Sequence, residues 1–385
     1  MERDIFDEDH EAFREVVQEF IKRHVTNEAI ARWDAEGEID RATMMAAGEA
    51  GLIGLSVPEE FGGAGMLQDY RFRTIVSEEV IRAGAGSLAG ALGIQDDLAV
   101  PYLVHMGTDE QKAKWLPKMA TGEVIGALAM TEPGAGSDLR GIKTTAKKVE
   151  GGYLVNGAKT FISSGKTADM LVTFVKTGEG DRPDAFSLLI IENGMPGFDH
   201  GKKLSKMGFH GHDTAELSFA DVFVPRENLI GGTEGKGFVQ LMMNLPLERL
   251  SIGVAGAAAA QAALEWTLAY TKDRRAFGER IIDFQNTRFQ LADVAATVDA
   301  TWAYVDRALL AYKDGKLSAE EAAKVKFWAT EREWEVVDTC VQLHGGYGYI
   351  TEYPIARAFL DARVHRIYGG TNEIMREIVG RQLAK

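Results

Sequence analysis

Two glycine-rich segments stand out for the chemistry their backbones can perform. Thr131-Glu132-Pro133-Gly134-Ala135-Gly136-Ser137-Asp138 combines hydroxyls with glycines at the end of a strand-like stretch. Such a turn can aim backbone N–H groups at a phosphate or at the polar edge of an aromatic ring. It lacks the strand-to-helix setting of a dinucleotide-binding fingerprint, so taken alone it reads as a plain loop. Gln342-Leu343-His344-Gly345-Gly346-Tyr347-Gly348 follows a helical stretch and reads locally as a glycine C-cap, with His344 a packed histidine rather than a ligand. No His, Cys, Asp and Glu set has metal-ligand spacing, and no Gly-x-Ser-x-Gly elbow occurs, so no metal is expected. The single cysteine, Cys340, excludes a disulfide framework and a thiolate cluster. It suits a reducing compartment, and the expected location is cytoplasmic.

The elements that must position these segments change character twice along the chain. Up to about residue 120 apolar residues recur at helical spacing, as in Phe13, Val16, Val17, Phe20 and Ile21, then Met44, Met45, Leu52 and Ile53. Gly62, Gly63 and Gly65 interrupt this pattern, and Thr108-Asp109-Glu110 opens another helix with an N-cap and an acidic first turn. From about 125 to 232 the period becomes two. Residues 143–149, a Glu150-Gly151-Gly152 turn and 153–156 read as a hairpin, and 170–175, 186–191 and 215–219 as further strands. Helical periodicity returns in 250–273, 283–314 and 318–343, which suits an antiparallel bundle. The expected fold class is α+β, with an N-terminal helical domain over 1–124, a middle antiparallel β-domain over 125–232 and a C-terminal helical bundle over 233–385.

Composition narrows the function. The chain has 385 residues, 43 Lys plus Arg against 57 Asp plus Glu, and a net charge of −14. That balance argues against nucleic acid or an anionic membrane as partner. Hydrophobic residues at 45% and charged residues at 26% describe a chain that folds into a globule. No run reaches the roughly 18 apolar residues of a membrane span, and the first fourteen residues have no apolar targeting core.

Taken in order, seven motifs resemble the acyl-CoA dehydrogenase family over essentially the whole chain. They are Val57-Pro58-Glu59-Glu60-Phe61-Gly62-Gly63, the 130–138 turn, Asn156-Gly157-Ala158-Lys159, Lys206-Met207-Gly208, Arg274-Arg275-Ala276-Phe277-Gly278, the 342–346 segment and Tyr368-Gly369-Gly370-Thr371-Asn372-Glu373. The resemblance implies a C-terminal four-helix bundle, FAD and an acyl thioester held between the domains, and commonly a homotetramer. By motif, Leu128, Met130, Thr131 and Ser137 match the loop that covers the flavin and contacts substrate, and Phe161, Ile162 and Ser163 match the segment beside the flavin ring. Arg274, Phe277 and Gln285 match residues that reach a neighbouring subunit's FAD. Gln342, Gly345 and Gly346, near the pyrophosphate, and Thr371 and Glu373 match further cofactor contacts. Leu128 stands where relatives often have an aromatic residue, and Ala276 where some have Thr.

The largest departure is at Gly369. Medium- and short-chain relatives carry the catalytic glutamate there, and glycine cannot take a proton. The long-chain and isovaleryl branches resemble this chain in having glycine at that position and a glutamate before an arginine in the long helix, which matches Glu248-Arg249. Without the resemblance Glu248 would read as a solvated helix residue. The implied reaction removes the α-proton to Glu248 while a hydride leaves the β-carbon for flavin N5, giving a trans-2-enoyl-CoA. Ser137, Arg249, Tyr368, Gly369 and Gly370 are expected to face the acyl-CoA, with the Gly369 N–H binding the thioester carbonyl. Electron-transfer flavoprotein is the implied acceptor. The alternatives are an acyl-CoA oxidase using oxygen and a non-catalytic scaffold on the same fold.

The acyl pocket is read from Gly86, Gly90, Ala91, Leu92, Gly93 and Ile94, a small apolar run followed by Asp96 and Asp97. The expectation for these aspartates is that one of them N-caps a helix starting near Leu98.

Overall fold

The computed structural model describes residues 3–385. The N-terminal part is built from α1 (Glu8–His24), α2 (Asn27–Glu36), α3 (Arg41–Glu49), α4 (Arg71–Arg82), α5 (Gly86–Gly93), α6 (Val100–Met106) and α7 (Asp109–Ala120). Short polar residues set several starts: the side chains of Asp7, Thr26, Asp40 and Thr108 each accept from a backbone N–H three residues on. At Thr108 the expected cap is present, completed by Gln111 reaching back to the cap's own N–H.

The segment joining α5 to α6, Ile94–Ala99, is π-helical, so the chain runs from Gly86 to Met106 as one bulged helix. α6 near Leu98 is the continuation of that helix and not a new start, and neither Asp96 nor Asp97 caps it. Both are buried. Asp97 pairs with Arg73 Nε at 3.0 Å, and Asp96 accepts from the Gly54 N–H at 2.9 Å. The capping expectation is therefore corrected: continuous helix backbone already satisfies the N–H groups a cap would serve.

The middle part is one sheet of β1 (Gly126–Ala129), β2 (Thr145–Val149), β3 (Gly152–Ser163), β4 (Met170–Lys176), β5 (Phe186–Glu192), β6 (Phe198–Lys203) and β7 (Thr214–Pro225). Its order is β1-β4-β2-β3-β7-β6, with β5 also on β4. The hairpin of β2 and β3 is present, with a tighter turn than expected: Gly152 already pairs with Val149. The sheet departs from the all-antiparallel expectation at β4, which pairs parallel with β1 along its length and with β2 at one residue pair. A long excursion through the β2–β3 hairpin separates β1 from β4, and that length of chain permits a parallel crossover. β4 and β5 are buried on both faces. Met170, Val172, Phe174, Leu188 and Ile190 pack with α6 and α7, and Leu171, Val175, Leu189 and Ile191 with β3 and β7.

The C-terminal part contains α8 (Gly237–Asp273), a hairpin of β8 (Arg275–Ala276) and β9 (Glu279–Arg280), α9 (Gln285–Lys313), α10 (Ala319–His344), α11 (Pro354–His365) and α12 (Asn372–Leu383). α8 starts well before residue 250, because the helix tolerates Pro246 in its interior. The Gly/Ala-rich run 253–263 lets α8 approach α10 closely. A Cβ on Gly253 would stand 2.8 Å from Val325 Cγ1, so glycine is what the contact requires. Among the described residues no helix is long and apolar enough to cross a membrane.

Candidate active site

α6 and α8 run antiparallel and exchange two side-chain hydrogen bonds. The Tyr102 hydroxyl donates to Glu248 Oε1 at 2.8 Å, and His105 Nδ1 meets Asn244 Oδ1 at 2.8 Å. Residues 102 and 105, like 244 and 248, lie on single helix faces, so the pairs zip the two helices together. Glu248 sits between Leu247 and Leu250 with only 3% of its surface exposed. Burial pushes its carboxyl up to about 7, while the bond from Tyr102 and the charge of Arg249 hold it back from rising further. A carboxyl held there exchanges protons near neutral pH.

The turn after α11 lies against the same face of α8. A Cβ on Gly369 would meet Cδ1 of Ile252, one helical turn beyond Glu248, at 2.3 Å. Gly369 and Gly370 hold left-handed φ values of +65° and +90°. Lys326 Nζ pins this turn by donating to Gly370 O at 3.0 Å and Asn372 Oδ1 at 2.9 Å. Beneath it the Tyr368 ring stacks on His365, whose Nδ1 meets both carboxylate oxygens of Glu333 at 2.8 Å. Among the described residues no hydrogen bond takes the Gly369 N–H. Arg249 is buried beside this turn with its Nε unpartnered.

Two further regions gather the expected cofactor residues. At the edge of the sheet a β-bulge on β3 falls between Lys159 and Ile162. It throws Phe161 outward with φ of +58° and 67% exposure. The Thr160 N–H donates to Thr131 O at 2.9 Å, so the 130–138 turn lies beside Phe161. The turn is anchored from below by Lys159, whose Nζ donates to Met130 O and Glu132 Oε1, each at 2.9 Å. Glu132 also accepts from the Lys143 and Thr144 N–H groups. Burial pulls the Lys159 ammonium down to about 8, and Glu132 stays below the usual carboxylate range because Lys159 and those N–H groups outweigh its own desolvation. Leu128 and Ile162 are buried in the interior, Ser163 and Met130 are half-buried, and Ser137 is exposed on the turn.

The other region is a cleft of about 580 Å³ between the end of α8 and the end of α10, lined by Arg274, Gln342, Gly345 and Gly346 among others. Gly345 does cap α10, as its local sequence suggests. A Cβ on Gly345 or Gly346 would meet nothing within 4 Å, so no part of this chain fills the space above them. Phe277 sits at the tip of the β8–β9 hairpin with φ of +53° and 98% exposure. Gln285 begins α9 nearby. Thr371 caps α12 through its hydroxyl, and Glu373 is exposed in the first turn of that helix. The structure thus gathers the expected residues into three places rather than one pocket.

Sequence models of the acyl-CoA dehydrogenase N-terminal, middle and C-terminal domains match residues 7–123, 127–222 and 235–384. The chain belongs to the acyl-CoA dehydrogenase family. It is 41% identical over 99% of its length, and 88% of the relative's, to the mitochondrial long-chain specific acyl-CoA dehydrogenase of Mus musculus. It is 38% identical over 99% of its length, and 92% of the relative's, to the mitochondrial isovaleryl-CoA dehydrogenase of Oryza sativa subsp. japonica. The acyl-CoA dehydrogenase of Geobacillus kaustophilus superposes with a TM-score of 0.94 at 42% identity, covering 99% of each chain. The protein is accordingly an FAD-dependent acyl-CoA dehydrogenase with the family's three-part fold. The open glycine floor, the Arg274 guanidinium and the outward Phe161 fit such a cofactor.

Several residues that the structure places around Glu248 and the two glycine-rich turns were not singled out in the sequence. Tyr102 and His105 carried a signal, a polar pair at i and i+3 on an otherwise apolar helix. Lys326 and Glu333 carried another, charges at helical spacing with Ala322, Ala329 and Thr330 on one buried face of α10. Glu132 and Lys159 lay inside quoted motifs, but only the folded register shows them as an ion pair.

Proposed function

We propose that Glu248 is the general base that takes the α-proton of an acyl-CoA, and that the product is a trans-2-enoyl-CoA. The observation that supports this reading is a buried carboxyl raised to about 7 on α8, with the Gly369 turn packed one helical turn away against Ile252 and its N–H without a partner among the described residues. FAD, when bound, supplies the acceptor for the hydride that leaves the β-carbon. The chain's own residues do the rest. The Gly369 N–H donates to the thioester carbonyl oxygen, stabilising the negative charge that develops there as Glu248 withdraws the proton. Lys326 and the Tyr368–His365–Glu333 stack hold that donor still. Leu247, Leu250 and the acyl chain itself keep water from Glu248 and preserve its basicity.

Thr131, Ser137 and Phe161 would hold the flavin ring, and Arg274, Gln342, Gly345 and Gly346 the pyrophosphate of a cofactor shared with a second subunit, with electrons passing to an electron-transfer flavoprotein. The extended Phe277 supports a composite site in a homotetramer. The test is anaerobic single-turnover bleaching of the flavin by a ladder of acyl-CoAs. Glu248→Gln should retain FAD and bind acyl-CoA but lose about 10²- to 10⁴-fold in flavin reduction, the scale of a removed general base. Bleaching at the wild-type rate would overturn the assignment.

A further inference from the structure

The motif Lys206-Met207-Gly208 takes no part in the proposed chemistry, yet the loop it opens reaches the end of β3. β3 finishes in a tight turn: the Gly165 N–H donates to Ile162 O at 3.1 Å, with Ser163 and Ser164 at its centre. Ser164 holds a left-handed φ of +55°, three residues after Phe161 at +58°. The third place of a turn takes such a φ readily as glycine or asparagine. For serine the conformation is strained and persists only where the surroundings over-determine it, as they do at ligand clamps.

What determines it here is His212. Its Nε2 meets the Ser164 hydroxyl at 2.9 Å, and the Ser164 N–H donates to Asp213 O at 3.0 Å. Both side chains are less than 8% exposed. Burial pushes the His212 imidazole down to about 4, so at neutral pH the ring is uncharged and keeps one donor and one acceptor nitrogen. Asp213 secures the chain beyond the turn, its carboxylate accepting from the Lys166 N–H at 2.6 Å and the Thr167 hydroxyl at 2.8 Å. β7 then begins at Thr214, which pairs with Ser163 itself.

His212 is in turn immobilised by the helical parts of the fold. Lys206 Nζ donates to His212 O and closes the loop. A Cβ on Gly208 would stand 2.6 Å from the Leu360 carbonyl carbon in α11, and one on Gly211 2.9 Å from Trp33 Cβ in α2, so the loop lies flush on both helices. The Gly211 N–H donates to Ser87 Oγ of α5 at 3.1 Å, and the Nδ1 edge of His212 packs on Gly90 of the same helix. The imidazole is thus the inner end of a braced loop, set against the strained residue that follows Phe161, Ile162 and Ser163.

We propose that His212 is a positioning residue for the flavin ring: through the Ser164 hydroxyl it fixes the turn at the end of β3, and with it the lie of Phe161 and Ser163 against the cofactor. This rests on the placement of that segment beside the flavin, which the experiment tests separately. Variants are loaded with FAD, matched in flavin content and measured below their melting temperatures. His212→Leu removes the bond, Ser164→Ala removes the hydroxyl, and His212→Gln carries an amide nitrogen in place of Nε2. We expect His212→Leu and Ser164→Ala each to shift the visible absorption bands of the bound flavin and to slow its reduction at saturating acyl-CoA by about 3- to 10-fold, the scale of one neutral hydrogen bond. The double variant should be no worse than either single one, because both remove the same bond. His212→Gln should stay close to wild type in spectrum and rate. A wild-type spectrum in His212→Leu or, where that chain does not fold, in Ser164→Ala would overturn the proposal. So would losses that add in the double variant, or a His212→Gln enzyme as impaired as His212→Leu. Phe161→Leu tests the placement: a shift there with none in His212→Leu sinks only the positioning role, whereas a flavin spectrum untouched by Phe161→Leu would overturn the placement and the proposal with it.

Discussion

The Tyr102 hydroxyl and the Glu248 carboxylate meet at 2.8 Å across the contact between α6 and α8, both fully enclosed. Burial raises the Glu248 carboxyl, and the hydrogen bond from Tyr102 favours its charged form and so lowers it again. The pair therefore does two things at once: it fixes the orientation of the carboxylate and offsets part of the rise that burial imposes on it.

Tyr102→Phe separates those effects. Removing the donor leaves desolvation unopposed, so the ascending limb of kcat/KM against pH, near 7 in the free enzyme, should move to higher pH. Activity at high pH should recover much of the wild-type value. A profile that merely drops without moving would make Tyr102 a packing residue.

Glu248→Gln should change stability as well as chemistry. The carboxyl ionises at its ordinary value in the unfolded chain but only at about 7 in the fold. Between those pH values the unfolded state binds fewer protons, so this group's contribution to stability is complete below its unfolded value and is lost as pH rises through 7. Glutamine carries no such loss. The melting temperature of the variant minus that of wild type, both FAD-loaded, should grow from pH 4.5 to 7 and then level off. A flat difference would mean Glu248 is not desolvated.

The parts of this fold that were legible in sequence are those set by local rules. Thr108 announces its helix because a hydroxyl there satisfies an N–H three residues on, and the β2–β3 hairpin follows from period-two patterning around a glycine turn. The parallel pairing of β1 with β4 was not legible, because it joins residues far apart in sequence whose apolar runs look alike in either direction. Asp96 and Asp97 show the same limit: a short acid before a helix pattern suits a cap, and only a distant arginine on α4 reveals a buried pair. The burial of Glu248 was not legible either, since nothing local distinguishes a buried helical glutamate from a solvated one.

The Glu132–Lys159 ion pair should hold the 130–138 turn in place for the flavin. Lys159→Met leaves Glu132 buried without its partner, at a cost of about 3–5 kcal/mol. It should also reduce FAD retained after gel filtration. Adding Glu132→Gln should restore much of the thermal stability, since both charges are then gone, without restoring flavin retention fully. If Lys159→Met melts like wild type and keeps its flavin, the pair does not anchor the turn.

Gly369 packs against Ile252, one helical turn beyond Glu248 on α8, which bears on whether a base could act from the turn instead. A glutamate at 369 is meant to bring its side-chain carboxylate to the same substrate carbon, but two obstacles stand in its way. The backbone at 369 is left-handed at φ of +65°, which costs a non-glycine residue about 1–3 kcal/mol. The new Cβ would also collide with Ile252 Cδ1 at 2.3 Å. The first obstacle is tolerable and the second is removable. Glu248→Ala with Gly369→Glu should therefore bleach flavin hardly faster than Glu248→Ala alone, whereas adding Ile252→Ala should recover part of the lost rate. Recovery stays partial because a transplanted base lacks the Tyr102 hydroxyl, and its position must hold to about 0.5 Å. The measurement is the reductive half-reaction of the three variants and of an Ile252→Ala, Glu248→Ala control, with FAD content and acyl-CoA binding checked first. A triple variant that holds flavin and substrate yet runs no faster than that control would show that the two positions do not address the same proton.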